Sequence, residues 1–127
     1  CSIPDHDNEE IIVTGGEYTL KTVSVYNKAG WEKDLASLNQ GRDLHACGSY
    51  VNGGKKVNQI IMYIYSQFFM VTGGYDGFSP LDSTEIFSDN IWKTLTAKLP
   101  AHISYWGVAT INNRVLAFGN PLLFVND

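Results

Sequence analysis

The sequence predicts an all-β protein built from repeated strand units, and three stretches of the chain carry that prediction. Thr14-Gly15-Gly16 is followed by Trp31, and Thr72-Gly73-Gly74 is followed by Trp92. A third copy begins at Ala117-Phe118-Gly119. Repeats of about 50 residues, each with a glycine-ended strand and a tryptophan in another strand, are typical of β-propeller blades.

A single offset of 61 residues relates residues 31–50 of the first unit to residues 92–111 of the second, placing Trp31 on Trp92 and Leu38 on Leu99. Residues 11–16 (IIVTGG), 69–74 (FMVTGG) and 115–119 (VLAFG) then form the same strand in three successive units. These strands are apolar on both faces, as radially packed sheets require, because neighbouring blades cover both faces. The glycines predict a sharp exit from each strand with positive φ.

Alternating segments follow each glycine pair and predict a further strand in each unit. They are residues 21–26 (KTVSVY) and 82–87 (DSTEIF), and turn-forming residues then lead to Trp31 or Trp92, which opens the outer strand. We expect both tryptophans to serve packing. The predicted organisation is a loose N-terminal segment (1–10), the repeats (11–119) and a non-repeat tail (120–127), giving about two complete four-stranded blades plus parts of two others.

Together these features resemble the kelch-repeat family of β-propellers from about residue 11 to residue 119. The residues that carry the resemblance are the glycine pairs, Tyr75-Asp76-Gly77, Glu85, the two tryptophans and the run 42–47 (RDLHAC). The resemblance implies blades around a central channel, with the strand after Arg42 innermost and the strand of Trp31 outermost. The second unit departs from the pattern, with Ile103 and Trp106 in place of Arg42 and His45.

Two other all-β architectures fit the sequence less well. A WD40 propeller has a shorter period, about 40–45 residues, and a Trp-Asp dipeptide that this chain lacks. A β-sandwich would show strands without the long-period identity.

Composition and charge exclude two classes of partner. The net charge is −4 and the nine Lys and Arg residues are scattered, so no basic surface for nucleic acid is predicted. No apolar run is long enough to span a membrane.

Cys1 lies in the expected loose terminus and Cys47 in a predicted inner strand, so we expect no disulfide and a buried free thiol at Cys47. The sequence also has no Asn-x-Ser/Thr sequon. The expected free thiol and the missing sequon together favour a reducing, cytoplasmic location.

Catalytic chemistry is not predicted: we expect no enzyme activity, no cofactor and no metal. His6, His45 and His102 lack neighbouring ligands at metal spacing. His45 and Cys47 could form a thiol and its base, but packing near the channel explains the pair more simply. The acidic residues of the first ten could bind a cation, although a solvated terminus is the simpler interpretation. A kelch-type oxidase is the enzyme alternative.

Loops that leave the glycine-ended strands are the better candidates for function, because propeller loops gather on one rim. The candidate contact residues are Glu17, Tyr18, Tyr75, Asp76 and Phe78. Exposed aromatic rings beside carboxylates on a rigid scaffold suit protein contact, although Asp76-Gly77 could simply make the turn. The resemblance implies a protein partner, either in substrate recognition for a cullin-type ubiquitin ligase, through domains absent from this chain, or in actin binding.

The repeat is interrupted at two places. The interval between the first two glycine pairs is longer than the next interval, and removing residues 58–68 (NQIIMYIYSQF) restores an ordinary repeat strand. This Ile/Tyr/Asn-rich insert can be encoded with splice-site sequences at its ends, as can Gly119-Asn120, which predicts translated intron sequence at 58–68 and 120–127. The alternative is a real extra strand, since the insert has high β propensity and low charge.

Overall fold

The computed structural model describes residues 1–5, 8–52, 66–102, 107–111, 114–118 and 123–125. Within these ranges the chain forms strands and connecting loops without a helix, so the all-β prediction is confirmed. None of the described residues belongs to a helix that could cross a membrane. The strands assemble into three antiparallel sheets, and each sheet takes its strands from one continuous part of the sequence.

The first sheet has four strands in chain order. They are β1 (Ser2–Asp5), β2 (Glu10–Thr14), β3 (Val23–Asn27) and β4 (Gly30–Asp34). The N-terminal segment therefore differs from the loose segment that we expected, because β1 pairs along β2, with Ile3 opposite Ile12. Asp5 is buried and accepts hydrogen bonds from the backbone and side-chain nitrogens of Asn8, at 3.3 and 2.9 Å. The interpretation of the acidic run as a solvated terminus is thus wrong for Asp5.

The second sheet repeats the four-stranded order of the first. It contains β5 (Ala46–Asn52), β6 (Ser66–Thr72), β7 (Thr84–Ser88) and β8 (Ile91–Thr94). Trp31 in β4 pairs with Tyr26, and Trp92 in β8 pairs with Phe87. The same offset of 61 residues relates both members of these pairs, so the predicted equivalence of the two tryptophans on neighbouring sheets is confirmed.

The third sheet has three strands in the order β11-β10-β9. They are β9 (Gly107–Ile111), β10 (Arg114–Phe118) and β11 (Leu123–Val125). Part of the expected non-repeat tail is therefore a strand, with Phe124 opposite Ala117 of β10. The remaining tail residues, 120–122 and 126–127, lie outside the described residues.

An apolar core joins the first and second sheets. Ile3, Ile12 and Val23 come from the first sheet. Phe69, Val71 and Trp92 of the second sheet pack against them, with Leu38 from the connection between the sheets. The first strands of the three sheets also lie side by side, since β5 contacts β1 on one side and β9 on the other.

A disulfide joins Cys1 to Cys47, with their Cα atoms 6.1 Å apart. The prediction of a free thiol at Cys47 is therefore wrong, because β1 is ordered beside β5 and brings Cys1 within bonding distance. Disulfides persist in oxidising compartments, so the cysteines no longer favour a cytoplasmic location.

Strand β6 begins inside the sequence that we interpreted as an insert. Ser66 pairs with Asn52, and residues 66–68 continue the ladder between β5 and β6, whereas residues 58–65 lie outside the described residues. If residues 58–68 were removed, residues 55–57 would take these ladder positions and Gly53-Gly54 would remain as a two-residue connection. Gly-Gly suits such a turn because both positions can adopt positive φ.

Candidate protein-contact rim

Three connections emerge at the same end of the first two sheets. They follow β2, β4 and β6, at residues 15–22, 35–45 and 73–83. Because each of these three strands runs towards that end of its sheet, the topology brings the connections together. We call residues 15–22, 41–45 and 73–83 the rim.

Backbone hydrogen bonds tie the rim together through the segment that begins at Arg42. The Arg42 amide donates to the carbonyl oxygen of Leu20 at 2.8 Å. Asp43 and Tyr75 exchange two backbone hydrogen bonds, at 2.8 and 2.9 Å. The rim is therefore a connected backbone platform and not three independent loops.

The glycine pairs allow this segment to pass between the two sheets. Gly15 and Gly74 both have positive φ, as the sequence predicted. A Cβ atom at Gly74 would lie 2.5 Å from the carbonyl oxygen of Asp43 and 2.8 Å from the Cβ of His45. A Cβ at Gly15 would collide with the Arg42 carbonyl oxygen. Gly15 and Gly74 are thus required by close backbone approach as well as by strand exit.

A fully buried ion pair supports the platform from below. Arg42 Nη2 lies 2.9 Å from Glu85 Oε1, and both side chains are buried. Arg42 also donates to the carbonyl oxygens of Gly73 and Ser83, at 2.7 and 3.1 Å, and to Ser83 Oγ at 3.0 Å. Burial lowers the pKa of Arg42, and the hydrogen bond and charge of Glu85 oppose that shift.

Glu85 in turn fixes the connection from the first sheet to the second. Its Oε2 accepts the Asn39 amide at 2.8 Å, and its Oε1 accepts the Gln40 amide at 2.9 Å. One carboxylate therefore holds Arg42 and two backbone amides of residues 35–45. The pairing is a structural device that positions the rim, since the side chains of Arg42 and Glu85 are both fully buried.

His45 is part of the buried support and not a surface ligand. Its Nε2 lies 2.7 Å from Thr14 Oγ1, so the ring links the two sheets. Burial lowers the pKa of His45 to about 3, with the N-terminal ammonium and Arg42 adding to the shift. The imidazole is neutral at neutral pH. Because Cys47 is in a disulfide, the alternative of a thiol at Cys47 with His45 as its base is wrong.

The sequence-predicted contact residues lie on the rim but differ in their accessibility. Glu17 is exposed, and Tyr18 and Phe78 each expose 91% of their surface. Tyr75 is half-buried, and its backbone pairs with Asp43 and Pro80. Tyr18 and Phe78 are therefore the side chains most available to a partner.

Asp76 makes the turn that presents Phe78. Its Oδ1 accepts the backbone amides of Phe78 and Ser79, both at 2.8 Å. These hydrogen bonds, that of Ser79 first, hold the pKa of the Asp76 carboxyl below its usual value. Asp76 thus has the turn-forming role that we weighed against a contact role, and its charge is partly satisfied within the loop.

Leu44 is a rim residue that sequence reasoning missed. It is exposed and has a φ of 48°, in the segment that crosses between the two sheets. A leucine with positive φ is uncommon, but no pattern in the sequence signals it.

The loop of Phe78 approaches the loop of Tyr18 at Leu20, where a Cβ at Gly77 would lie 3.8 Å from Leu20 Cδ1.

Other chemistry is sparse in the described part of the chain. None of its His, Cys, Asp and Glu side chains form a group of three or more that could hold a metal ion. Exposed His102 lies at the base of the 73–83 loop, with Nδ1 2.9 Å from the carbonyl oxygen of Pro80, and His6 lies outside the described residues.

No protein-family model matches the sequence, and no curated protein matches it.

Proposed function

We propose that the three sheets are consecutive blades of a kelch-type β-propeller and that the rim binds a protein partner. The four-stranded order of the first two sheets and the side-by-side placement of β1, β5 and β9 support this arrangement. Propeller blades meet around a central channel through their first strands. The kelch assignment itself rests on the sequence resemblance.

The observation that carries the proposed binding role is the exposure of Tyr18 and Phe78 on an anchored backbone. Each exposes 91% of its surface, although aromatic rings gain free energy when they are removed from water. Rigid aromatic side chains contribute much of the binding energy at protein interfaces. The hydrogen bonds of Asp43, Tyr75 and Asp76 fix the loops before binding, which lowers the entropic cost of association.

The proposed partner is a protein surface with an apolar pocket for at least one of these rings. Following the resemblance, the partner is a substrate of a cullin-type ubiquitin ligase adaptor or an actin-type filament protein. Reactions at the rim are not part of the proposal.

Site-specific photo-crosslinking tests the proposed role directly. A photoreactive phenylalanine analogue replaces Phe78 in one variant and Ile91 in the control variant. Ile91 is also exposed, but it follows the β7–β8 turn at the opposite end of the sheet. We expect a discrete crosslinked protein from position 78 and not from position 91.

Alanine variants then test whether the rings provide the affinity. Tyr18→Ala combined with Phe78→Ala should reduce recovery of the crosslinked partner at least tenfold, a loss typical of interface anchors. Ile91→Ala should leave recovery unchanged. Asp76→Ala should give an intermediate loss, because it releases the Phe78 turn. Equal recovery with all variants would remove the rim from consideration.

A further inference from the structure

A serine followed by proline lies at the exposed tip of the 73–83 loop. The sequence has four prolines, and only Pro80 follows a serine or a threonine. Ser79, Pro80 and the neighbouring Phe78 are all exposed. The Ser79 hydroxyl is therefore accessible to an enzyme that reads the Ser-Pro pair.

The tip of this loop can open while its base stays in place. At the base, the Leu81 amide donates to the carbonyl oxygen of Gly74 at 2.8 Å. In the tip, Asp76 Oδ1 accepts two backbone amides, and the Asp76 amide donates to the carbonyl oxygen of Ser79 at 3.1 Å. Exposed turns of this kind open locally at a low cost in free energy. The Ser79 segment can therefore enter an active site in an extended form, which the following proline also favours.

A phosphate on Ser79 would add charge to the turn that a carboxylate already makes. Asp76 Oδ1 lies 2.8 Å from the Ser79 amide nitrogen. The amides of Ser79 and Phe78 hold the pKa of the Asp76 carboxyl below its usual value, so this carboxyl is ionised at neutral pH. Phosphoserine carries a charge of about −1.5 to −2 at pH 7. Two like charges within one turn repel each other and oppose the conformation that presents Phe78.

The cationic side chain at the base of the loop already has a partner. Lys98 Nζ donates to Asp82 Oδ1 at 2.7 Å, and exposed His102 lies 2.9 Å from the carbonyl oxygen of Pro80 through Nδ1. A phosphate that paired with Lys98 would have to take it from Asp82. We therefore expect the repulsion from Asp76 to outweigh any new ion pair, so that a phosphate loosens the turn.

We propose that Ser79 is a phosphorylation site for a proline-directed protein kinase and that its phosphorylation lowers partner binding at the rim. Kinases of this class offer no acceptor for the N–H of the next residue, which proline lacks. The γ-phosphoryl group of ATP passes to Ser79 Oγ, the bond to the β-phosphate oxygen breaks, ADP leaves and the hydroxyl proton goes to the base of the kinase. The regulatory part of this inference rests on the proposed function, because it acts through Phe78.

A purified proline-directed kinase with Mg²⁺ and ATP tests the site on the folded chain, and mass spectrometry locates the phosphate. We expect a single phosphoryl group, on Ser79. Ser79→Ala and, separately, Pro80→Ala should lose it, whereas Thr19→Ala, which removes an exposed hydroxyl from another rim loop, should keep it. Circular dichroism confirms that each variant is folded. A folded wild-type chain that gains no phosphate at Ser79 would overturn the proposal.

Amide hydrogen exchange followed by NMR tests the loosening of the turn without any partner. Phosphorylation should remove the protection of the Phe78 and Ser79 amides, as Asp76→Ala does, and should leave the Leu81 amide unchanged. Asp76→Asn keeps an acceptor oxygen without the charge, so phosphorylation of this variant should have a smaller effect. Unchanged or increased protection in the phosphorylated wild type would overturn the regulatory part.

Crosslinking from position 18, where the photoreactive analogue replaces Tyr18, then measures partner binding. The phosphorylated chain should give about tenfold less crosslinked partner than Ser79→Ala treated with the same kinase. Equal yields would overturn the regulatory part. A chain that is phosphorylated and loses the turn but crosslinks no protein in either state would overturn the proposed function, and the regulatory part with it, while supporting the phosphorylation site.

Discussion

Replacing Glu85 by glutamine changes one charge in the buried support of the rim while keeping the shape of the side chain. Glu85 accepts three hydrogen bonds, from Arg42, Asn39 and Gln40, and both members of its ion pair are fully buried. A glutamine NH₂ group cannot accept a hydrogen bond, so at least one of these three donors would face another donor. The guanidinium of Arg42 would also lose its only buried counter-charge among the described residues.

The expected cost follows from these two losses. Leaving one buried donor unsatisfied costs about 1–3 kcal/mol, and breaking a buried ion pair by removing one partner costs about 3–5 kcal/mol in total. We therefore expect Glu85→Gln to lower the free energy of unfolding by about 3–5 kcal/mol. A domain has only about 5–15 kcal/mol of stability, so the variant should be severely destabilised.

Urea unfolding followed by tryptophan fluorescence measures this loss, provided that the dependence on urea concentration is unchanged. Ser83→Ala is the control, because it removes the Oγ acceptor of Arg42 but keeps the carbonyl acceptor of the same residue. Its expected cost is about 1 kcal/mol. A Glu85→Gln variant as stable as the wild type, or no more damaged than Ser83→Ala, would refute the assigned role of the ion pair.

Three further predictions concern other features of the fold. Reduction of the disulfide between Cys1 and Cys47, which are 46 residues apart, should lower the free energy of unfolding by about 4 kcal/mol. Thiol titration should find no free thiol before reduction. A reactive thiol in the untreated chain would contradict the pairing. His45 binds a proton more weakly in the folded chain, with a pKa of about 3 against an ordinary 6.5. The free energy of unfolding should therefore fall as the pH falls from the ordinary pKa towards the folded pKa. The slope should be at most about 1.4 kcal/mol per pH unit. His45→Gln should flatten that slope, and a variant with the same slope as the wild type would place the proton uptake elsewhere. Deletion of residues 58–68 should preserve the circular dichroism spectrum and the free energy of unfolding, since the hairpin closes on Gly53-Gly54, and an unfolded deletion variant would show that these residues are needed for the sheet.

Local features of the fold could be predicted from the sequence because they repeat. The glycine pairs, the alternating strands and the tryptophans recur in the same order in the first two units, and they correspond to hairpin pairing within a sheet. Strand positions, the equivalence of Trp31 with Trp92 and the positive φ at Gly15 and Gly74 are therefore confirmed. The positions of Tyr18 and Phe78 on connecting loops follow from the same repeat.

Contacts between sheets could not be predicted in the same way. The pairing of Cys1 with Cys47 needs β1 to lie beside β5, and β1 has no counterpart in the repeat that we read from the sequence. The residues Arg42 and Glu85 were singled out separately by the kelch resemblance, but only the packing of the connection against the second sheet joins them. Non-local contacts of this kind depend on how the sheets pack against one another, and the repeated pattern of the sequence does not specify that packing.

Trp31 and Trp92 show why a repeat alone does not determine the environment of a residue. Both occupy the second position of an outer strand and contact an aromatic ring on the strand beside it, so their local structure is the same. Trp92 is buried because the first sheet lies over it, and Trp31 is exposed because no sheet among the described residues lies over its face of the first sheet. The expected packing role thus holds for Trp92, whereas Trp31 is exposed among the described residues. The repeat thus determines the strand position and the ring contact of each tryptophan, whereas the burial of each depends on which sheet packs over it.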